Sequence, residues 1–371
     1  MRARPLPAWV DVGLLPVVNL VLAFCVSGLI ALAVGVDPRD AVRIMLEGAF
    51  GSAEAIGYTL YYATNFIFTG LAVALSFHAG LFNIGGEGQA ALGGLGVGLV
   101  ALACDRILPA PLLIPLAVAA AALFGAGWAA IPGWLQAYRG SHIVVTTIMF
   151  NFIAASLMVF LLVNVLIAPG SMSPESRAFA ASARLPFLHE LFAGLGVALA
   201  PSPLNLSAGL AALCCVAVWL LLFRTSWGVE LRTMGHNPSA ALYAGIDTKR
   251  MTVIVLCLSG ALAGCVGVNE ILGVQHRLIL DFAAGCGFGG IAVSLMGRNH
   301  PVGVVLASLL FGGLVQGGAE LSFAMPSVTR DMVVVIQGLV ILFSGALANL
   351  ARPWLEAGFA RLGRVAPDGA G

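Results

Sequence analysis

The sequence predicts an all-α, polytopic membrane protein with about ten transmembrane helices, and composition gives the first reasons. Apolar residues make up 60% of the 371 residues, and charged residues only 9%. The mean hydropathy is +1.00. A soluble domain carries roughly 25% charged residues, so this chain has too little charge to cover a water-facing surface. The net charge of +1 excludes a basic nucleic-acid-binding protein and an acidic disordered chain.

The third reason is the number of long apolar runs. A transmembrane helix needs about 20 mostly apolar residues. We interpret ten runs as candidate spans, and they lie near residues 12–34, 58–78, 85–103, 110–131, 143–168, 204–223, 251–270, 284–297, 301–320 and 331–350. The eighth is short for a full crossing, so we expect a broken or re-entrant piece there. The first is longer than the ~7–15 residues of a signal-peptide core, which predicts a retained helix.

The distribution of basic residues predicts the orientation. With both termini in the cytoplasm, 11 of the 18 basic residues lie on the inner side, as the positive-inside rule requires. We therefore predict one transmembrane domain over 1–350, with a cytoplasmic loop at 224–250 and an extracytoplasmic loop at 169–203. Residues 351–371 form a cytoplasmic tail.

Two further segments are expected to form amphipathic surface helices. After the helix-start pair Asp37-Pro38, residues 40–50 place Ala41, Met45, Leu46 and Phe50 on one face. Residues 185–200 of the outer loop show a similar pattern.

The 224–250 loop contains a short helix with clear boundaries. Asn237 and Pro238 are typical of an N-cap and a first helical residue, and Gly245 of a helix end. A helix this short is marginal alone in water. Two interpretations follow: a hairpin resting on lipid headgroups, or a helix that docks into a groove on a partner protein.

Residues 80–89 (GLFNIGGEGQ) are rich in glycine yet lie between two apolar runs. Such backbone is poor helix material and is tolerated at membrane depth where it faces a cavity or protein. A carboxylate within a span costs about 2.5–3.5 kcal/mol on insertion scales, so Glu87 is expected to face a path or a partner. The alternative is an ordinary tight cytoplasmic turn. Asn151, inside the fifth run, lines a polar pathway or makes an interhelical hydrogen bond.

No catalytic or metal-binding pattern is present. The single lysine, Lys249, follows Thr248, so the chain has no Gly-Lys pair and no Walker A loop. The seven cysteines form no CxxC, and the six histidines form no HxxxH or HExxH. We therefore expect a non-catalytic chain that binds no cofactor itself. Glu270 and Gln275, near the outer end of the seventh run, are expected to be interfacial.

Four motifs resemble one family of membrane proteins. They are GAFGS at 48–52, TGLAVALSFHAGLFNIGGEGQ at 69–89, TTIMFNFIA at 146–154 and GHNPSAALYAGI at 235–246. Together they resemble the permease subunits of bacterial ABC importers in the branch for branched-chain amino acids, simple sugars and nucleosides, and most of all the nucleoside type. The resemblance implies a multi-pass protein of the bacterial inner membrane. It also implies a second, often non-identical permease, two cytosolic ATPases that bind ATP and Mg²⁺, and an extracytoplasmic binding protein.

The resemblance also implies roles for individual residues. Those implied to contact the ATPase are Asn237, Pro238, Ala240, Ala241, Tyr243, Ala244 and Gly245. Those implied to lie near the translocation path are Phe82, Asn83, Gly85, Glu87, Gly88, Gln89 and Asn151. The chain departs from the family in having Phe150 and Phe152 for Leu and Tyr, and His236 where Arg or Lys often follows the glycine.

The leading hypothesis is thus a permease subunit of an ATP-driven importer for a small polar solute, most simply a nucleoside. A simple sugar such as ribose is the alternative solute. An ion-gradient-driven secondary transporter is an alternative of a different class, in which Glu87 would have to bind the ion. A membrane scaffold without a conduit is the third.

Overall fold

The computed structural model describes residues 37–342 apart from 195, 326, 327 and 329, together with scattered positions between 18 and 35. The α-helices of this part are α1 (Pro38–Phe50), α2 (Ala53–His78), α3 (Gly86–Cys104), α4 (Ala110–Arg139), α5 (Ile143–Asn164), α6 (Leu188–Ala193), α7 (Ser207–Arg224), α8 (Ser226–His236), α9 (Pro238–Tyr243), α10 (Thr248–Gly264), α11 (Cys286–Met296), α12 (Pro301–Ala324) and α13 (Arg330–Ile341). A π-helix, Val268–Gln275, continues α10. The predicted first span and the tail lie almost wholly outside the described residues, as does the end of the tenth run.

Seven of these helical segments are long and apolar enough to cross a membrane. They are α2, α3, α4, α5, α7, α12 and the continuous stretch formed by α10 and its π-helix. The described part of the chain contains two isolated β-bridges and no strand, so the prediction of an all-α, polytopic membrane protein is confirmed. Several spans exceed their predicted limits, because α4 runs on to Arg139 and the seventh span to Gln275.

The eighth run is only partly helical. Its helix, α11, has 11 residues, which is too short to cross a bilayer. The chain before it lies along α3, with Leu278 beside Gly98 and Phe282 beside Gly94, and Gly287 in the first turn of α11 lies beside Gly86. The non-helical path thus follows about one turn of α3 before α11 begins.

Glycines allow three spans to approach closely. On α10, Gly260 faces the backbone of Gly125 on α4, and Gly264 faces Gly93 on α3. In each pair a Cβ atom would meet the backbone of the neighbouring helix. Small residues at such contacts let backbones pack together in lipid, where the hydrophobic effect does not drive helix association. These close backbone contacts explain part of the high glycine content of the sequence.

The described residues divide into two compact units: 47–316, and those described within 1–46 and 317–371. In the smaller unit, the backbone of Gly317 packs against Met45. The predicted start of α1 is confirmed, since the Arg39 N–H donates to Asp37 Oδ1 at 2.8 Å. The predicted face is wrong in part. Ala41, Met45 and Ala49 are buried, as expected for positions four residues apart. Leu46 and Phe50 are 58% and 51% exposed.

The loop between α5 and α7 is tied to the ends of neighbouring spans. Arg177 donates to both carboxylate oxygens of Asp105 at 2.7 and 2.8 Å, and the Ala180 N–H donates to the same group at 2.9 Å. The Ser176 N–H donates to the Leu278 carbonyl at 2.9 Å. Of the residues described within the predicted 185–200 helix, those of α6 alone are helical.

Gly260→Ala should lower the thermal stability of the detergent-solubilised protein. The new methyl group would press on the backbone carbonyl of Gly125, and overpacking of this kind costs about 1–3 kcal/mol. Gly127→Ala is the matched control on α4, because nothing lies within 4 Å of a Cβ there. That variant should be neutral or stabilising, since alanine favours helix. Equal melting temperatures for the two variants would contradict the packing described above.

Asp105→Asn should lower the melting temperature by a few degrees between pH 5 and 8 and by less in acid. The Arg177 guanidinium holds the pKa of the Asp105 carboxyl below its ordinary value. The pair therefore contributes its full stability above about pH 4, and this contribution is lost as the pH falls through the native pKa. Glu175→Gln is the control, because its pair with Arg277 is more exposed on the carboxylate side. A difference between wild type and Asp105→Asn that is unchanged at about pH 3 would refute the argument.

Candidate functional site

The short helix predicted in the 224–250 loop is present and well capped. Asn237 Oδ1 accepts hydrogen bonds from the N–H groups of Ser239 and Ala240, both at 3.1 Å. Pro238 is the first residue of α9, and Gly245 has a φ of 81°, a left-handed conformation that favours glycine. The local prediction for this segment is therefore confirmed at both ends.

One face of α9 is buried against the protein and the other is exposed. Ala241 is fully buried, and its carbonyl accepts the Ile246 N–H at 3.0 Å, which closes the turn. Leu242 is 61% exposed and Tyr243 96% exposed. An aromatic ring left in water on a rigid, capped turn is a surface available to another protein. We refer to α8, α9 and their connection as the coupling hairpin.

The coupling hairpin rests on the end of α2. Leu231 and Met234 of α8 are buried, and Gly235 packs on the backbone carbonyl of His78. Gly80, with a φ of 72°, lies against Gly235. Two motifs that are 155 positions apart along the chain therefore meet backbone to backbone. This contact was not predicted from the sequence.

The glycine-rich stretch is a buried break between α2 and α3. Residues 81–84 have no regular secondary structure, and Asn83 at its centre is 1% exposed. The Asn83 amide donates to Ser259 Oγ at 2.9 Å and to Gln89 Oε1 at 3.1 Å. Its Oδ1 accepts the Gly85 N–H at 2.9 Å. Asn83 thus ties the break to α3 and to α10.

Asn151 on α5 also forms hydrogen bonds with this break. Its Nδ2 donates to the Ile84 carbonyl at 2.9 Å, and its Oδ1 accepts the Gly88 N–H at 2.9 Å. The Ile84 N–H donates to Thr147 Oγ1 at 3.3 Å. These groups belong to the break and to the first turn of α3, where backbone polar groups have no helical partner. The amide makes an interhelical hydrogen bond, as one of its two predicted roles requires.

Glu87 joins the start of α3 to the start of α11. Its two carboxylate oxygens accept the N–H groups of Gly285 and Gly287 at 2.9 and 2.8 Å. Both donors lie at the N-terminus of α11, where the helix dipole favours negative charge. The structure thus brings together most of the residues predicted near the path. They are Asn83, Gly85, Glu87, Gly88, Gln89 and Asn151. Phe82 points elsewhere and packs against Phe77, with ring centres 5.1 Å apart.

A second polar cluster was missed in the sequence. Tyr61 Oη and Asn65 Nδ2 both donate to Glu270 Oε1 at 2.6 Å. Glu270 is 5% exposed, so its side chain lies inside the protein, and its predicted place at the membrane interface stays a prediction. The seventh span does not end at residue 270 but continues as a π-helix to Gln275, which moves the carboxylate inside the protein. The free-energy cost of placing a carboxylate within a span, argued above for Glu87, applies equally to Glu270. That cost was the signal in the sequence that could have predicted this cluster.

The cluster extends from Glu270 to the start of α7 through Asn269, the preceding residue. Asn269 Nδ2 donates to Asn65 Oδ1 at 2.8 Å. Asn269 Oδ1 accepts from Asn205 Nδ2 at 2.9 Å and from Ser207 Oγ at 2.7 Å. Side chains from α2, the π-helix and the start of α7 are therefore joined in one network. π-Helical turns inside spans are frequent at functional sites.

No group of three or more His, Cys, Asp or Glu side chains that could hold a metal ion occurs among the described residues.

The seven apolar spans define a multi-pass membrane protein, and comparison with known proteins gives the family. The profile of the branched-chain amino acid transport system / permease component family matches residues 55–345. The chain belongs to this family. It is a non-catalytic permease subunit of an ABC transporter, in which separate subunits hydrolyse ATP.

Three relatives cover almost the whole chain. The glucose ABC transporter permease protein TsgB13 of Haloferax volcanii is 37% identical over 98% of this chain and 95% of its own length. The guanosine ABC transporter permease protein NupP of Bacillus subtilis is 36% identical over 89% and 92%. The nucleoside ABC transporter permease protein NupB of Lactococcus lactis is 32% identical over 89% and 90%. No solved structure gives a significant match.

Glu87→Gln should lower transport several-fold while leaving the subunits assembled. A glutamine has one oxygen, which can accept from the N–H of either Gly285 or Gly287, and its NH₂ group then faces the remaining N–H. The hydrogen bond that is lost involved a charged group, and such a bond contributes about 1.5–3 kcal/mol. Initial uptake rates of the purified transporter in proteoliposomes test this. Glu54→Gln, the same change at an exposed position of α2, is the control. Wild-type kinetics for Glu87→Gln would remove this carboxylate from any role in transport.

Proposed function

We propose that this permease imports a nucleoside. The observation that carries the proposal is the identity of 36% with the guanosine permease NupP across 89% of the chain. NupB, named as a nucleoside permease, supports it at 32%. The resemblance of the GAFGS and GLFNIGGEGQ motifs to nucleoside-type permeases agrees with both relatives.

A sugar is the second candidate solute, favoured by one specific observation. TsgB13, named as a glucose permease, is 37% identical over 98% of the chain. A nucleoside contains a ribose ring, so both candidates present several hydroxyl groups to the protein. The ion-gradient-driven alternative receives no support, because the relatives are permeases of ABC transporters.

The proposed assembly contains further subunits. NupQ of Bacillus subtilis and NupC of Lactococcus lactis are also similar to this chain, at 29% and 28% identity. Each of those organisms therefore has two permeases of this kind, which supports a second, non-identical permease here. Two cytosolic ATPases that bind ATP and Mg²⁺ and an extracytoplasmic binding protein complete the proposed importer.

The proposed topology has ten membrane segments in one domain over 1–350. The seven helical spans and the partly helical eighth segment are joined by the first run at 12–34 and by the tenth at 331–350. Both termini and the 224–250 loop lie in the cytoplasm, as does the 351–371 tail, and the 169–203 loop lies outside. The location is the bacterial inner membrane.

The coupling hairpin is the proposed contact with the ATPase. Exposed Leu242 and Tyr243 meet the ATPase, while buried Ala241 holds α9 in place. The capping residue Asn237 and the closing residue Gly245 keep the turn rigid. Binding of ATP in the partner then shifts the permease between inward- and outward-open states through this contact, to the extent that the two states differ in affinity for it.

The glycine-rich break, which includes Phe82, is proposed to border the translocation path as a re-entrant element. Its buried amides and the Glu87 carboxylate fix its backbone without a regular helix. A shape of this kind leaves space beside the break once two permeases are paired, since irregular backbone at membrane depth lines protein or a cavity.

Uptake of radiolabelled guanosine by the reconstituted complex tests the proposal. Uptake should require ATP and the binding protein, and unlabelled nucleosides should compete better than glucose or ribose. Tyr243→Glu should reduce ATP-driven uptake at least tenfold, because it places a charge in the docking surface without touching the protein's interior. Competition by sugars alone would establish the second candidate. ATP-independent uptake by this chain alone would refute the importer.

A further inference from the structure

The exposed side of α4 carries a long apolar stripe. At about 100° of rotation per residue, its large side chains fall within roughly 100° of arc, so they share one face of the helix. The only charged residue of α4 is its last, Arg139. A stripe of this composition on a span suits the acyl chains of lipid, which are as apolar as leucine. Its large side chains, all exposed, are Leu112, Leu116, Leu123, Ile131, Trp134 and Tyr138.

The stripe ends in two aromatic rings and two basic side chains. The rings of Trp134 and Tyr138 are stacked, with centres 6.2 Å apart. The guanidinium carbon of Arg139 lies 5.3 Å from the centre of the Trp134 ring, and Lys249 Nζ lies 5.7 Å from the centre of the Tyr138 ring. Cation–π contacts of this kind hold each basic group beside its ring. We refer to these four residues as the basic–aromatic cluster. Since Trp and Tyr are enriched at the boundary between membrane and water, the cluster is placed at the level of the lipid headgroups.

Close packing of α4 and α10 brings Lys249 to the end of this stripe. A Cβ atom on Gly133 of α4 would lie 3.2 Å from the side chain of Leu256 and 3.5 Å from the Cα atom of Val253. Lys249 itself is exposed in the first turn of α10, where the helix dipole disfavours a cation. The stability of α10 therefore does not explain the position of this lysine, the only one in the chain.

Both basic side chains are available to an anion. Neither forms an ion pair or a hydrogen bond with a residue that the structure describes, and their contacts are those with the two rings. The carboxylate closest in sequence, Asp247, caps α10 by accepting the Arg250 N–H at 3.0 Å. Guanidinium and ammonium groups both bind phosphate oxygens, and basic pockets between transmembrane helices bind anionic lipid headgroups.

We propose that the basic–aromatic cluster binds the headgroup of an anionic phospholipid whose acyl chains lie along the stripe of α4. A lipid fits better than a water-soluble protein, because Leu123 and Ile131 lie within the span, beyond the reach of a partner outside the membrane. An anionic lipid fits better than a zwitterionic one, since the latter brings its own cation next to Arg139 and Lys249. The bound headgroup would join α4 to α10, whichever solute the permease carries.

Native mass spectrometry of the purified transporter, titrated with phosphatidylglycerol or phosphatidylcholine of the same acyl chains, tests this contact. The wild type should prefer phosphatidylglycerol about twentyfold. Arg139→Gln and Lys249→Gln should each reduce this preference about fivefold, or about 1 kcal/mol, because each removes one cation from beside the phosphate. Both side chains are exposed, so the melting temperature of each variant in phosphatidylcholine should equal that of the wild type.

Arg250→Gln is the matched control. Arg250 is the exposed basic neighbour of Lys249, and it has no ring contact among the described residues, so this change should alter the preference less than twofold. An equal effect of Arg250→Gln and Lys249→Gln would overturn the inference, because overall surface charge would then attract the lipid. Equal binding of the two lipids by the wild type would also overturn it.

Leu123→Cys tests the stripe in the assembled transporter. The new thiol should react with a lipid-soluble maleimide, which adds one rapidly labelled site to those of the wild type. Absence of labelling, or a disulfide between this cysteine and another subunit, would show that protein covers the stripe and would reject the lipid site. These experiments measure no uptake, so a negative result leaves the proposed function standing.

Discussion

A buried backbone N–H or C=O group needs a partner inside the protein, and the break between α2 and α3 depends on this constraint. Helices meet it with their own hydrogen bonds. The break forms no regular helix, so side chains supply partners for several of its backbone groups: Asn83 from within, Asn151 and Thr147 from α5. Without these side chains, several backbone groups of the break would be buried without a hydrogen-bond partner. Each unpaired group would cost about 1–3 kcal/mol.

The half-buried Glu87 and the buried Glu270 both accept hydrogen bonds that join distant elements, but from different kinds of donor. Glu87 takes its donors from the backbone at the start of α11, which fixes the position of a partly helical segment. Glu270 takes its donors from the side chains of Tyr61 and Asn65, which fixes the distance between the π-helix and α2. The first arrangement depends on glycine backbone and the second on polar side chains. Each links elements that are distant in the sequence.

The sequence predicted best what is decided locally. Asn237, Pro238 and Gly245 specify a short helix through their own capping chemistry, and the apolar runs specify the spans. Pairing was not predictable, because nothing near Gly80 indicates that Gly235 lies against it and nothing near Glu87 indicates Gly285. The position of Glu270 was missed because a π-helix extended the span beyond its apolar run. The face of α1 was misjudged because the buried positions Ala41, Met45 and Ala49 are spaced four residues apart, and the exposed Leu46 and Phe50 lie off that line.

Helix α2 contacts both the Glu270 cluster and the coupling hairpin. Tyr61, in its first half, holds the Glu270 cluster, and His78, its last residue, carries the coupling hairpin. At 1.5 Å per residue these two positions are about 25 Å apart along one uninterrupted rod. Because no break interrupts α2 between these two positions, a tilt of this helix would move the Glu270 cluster and the contact at His78 together.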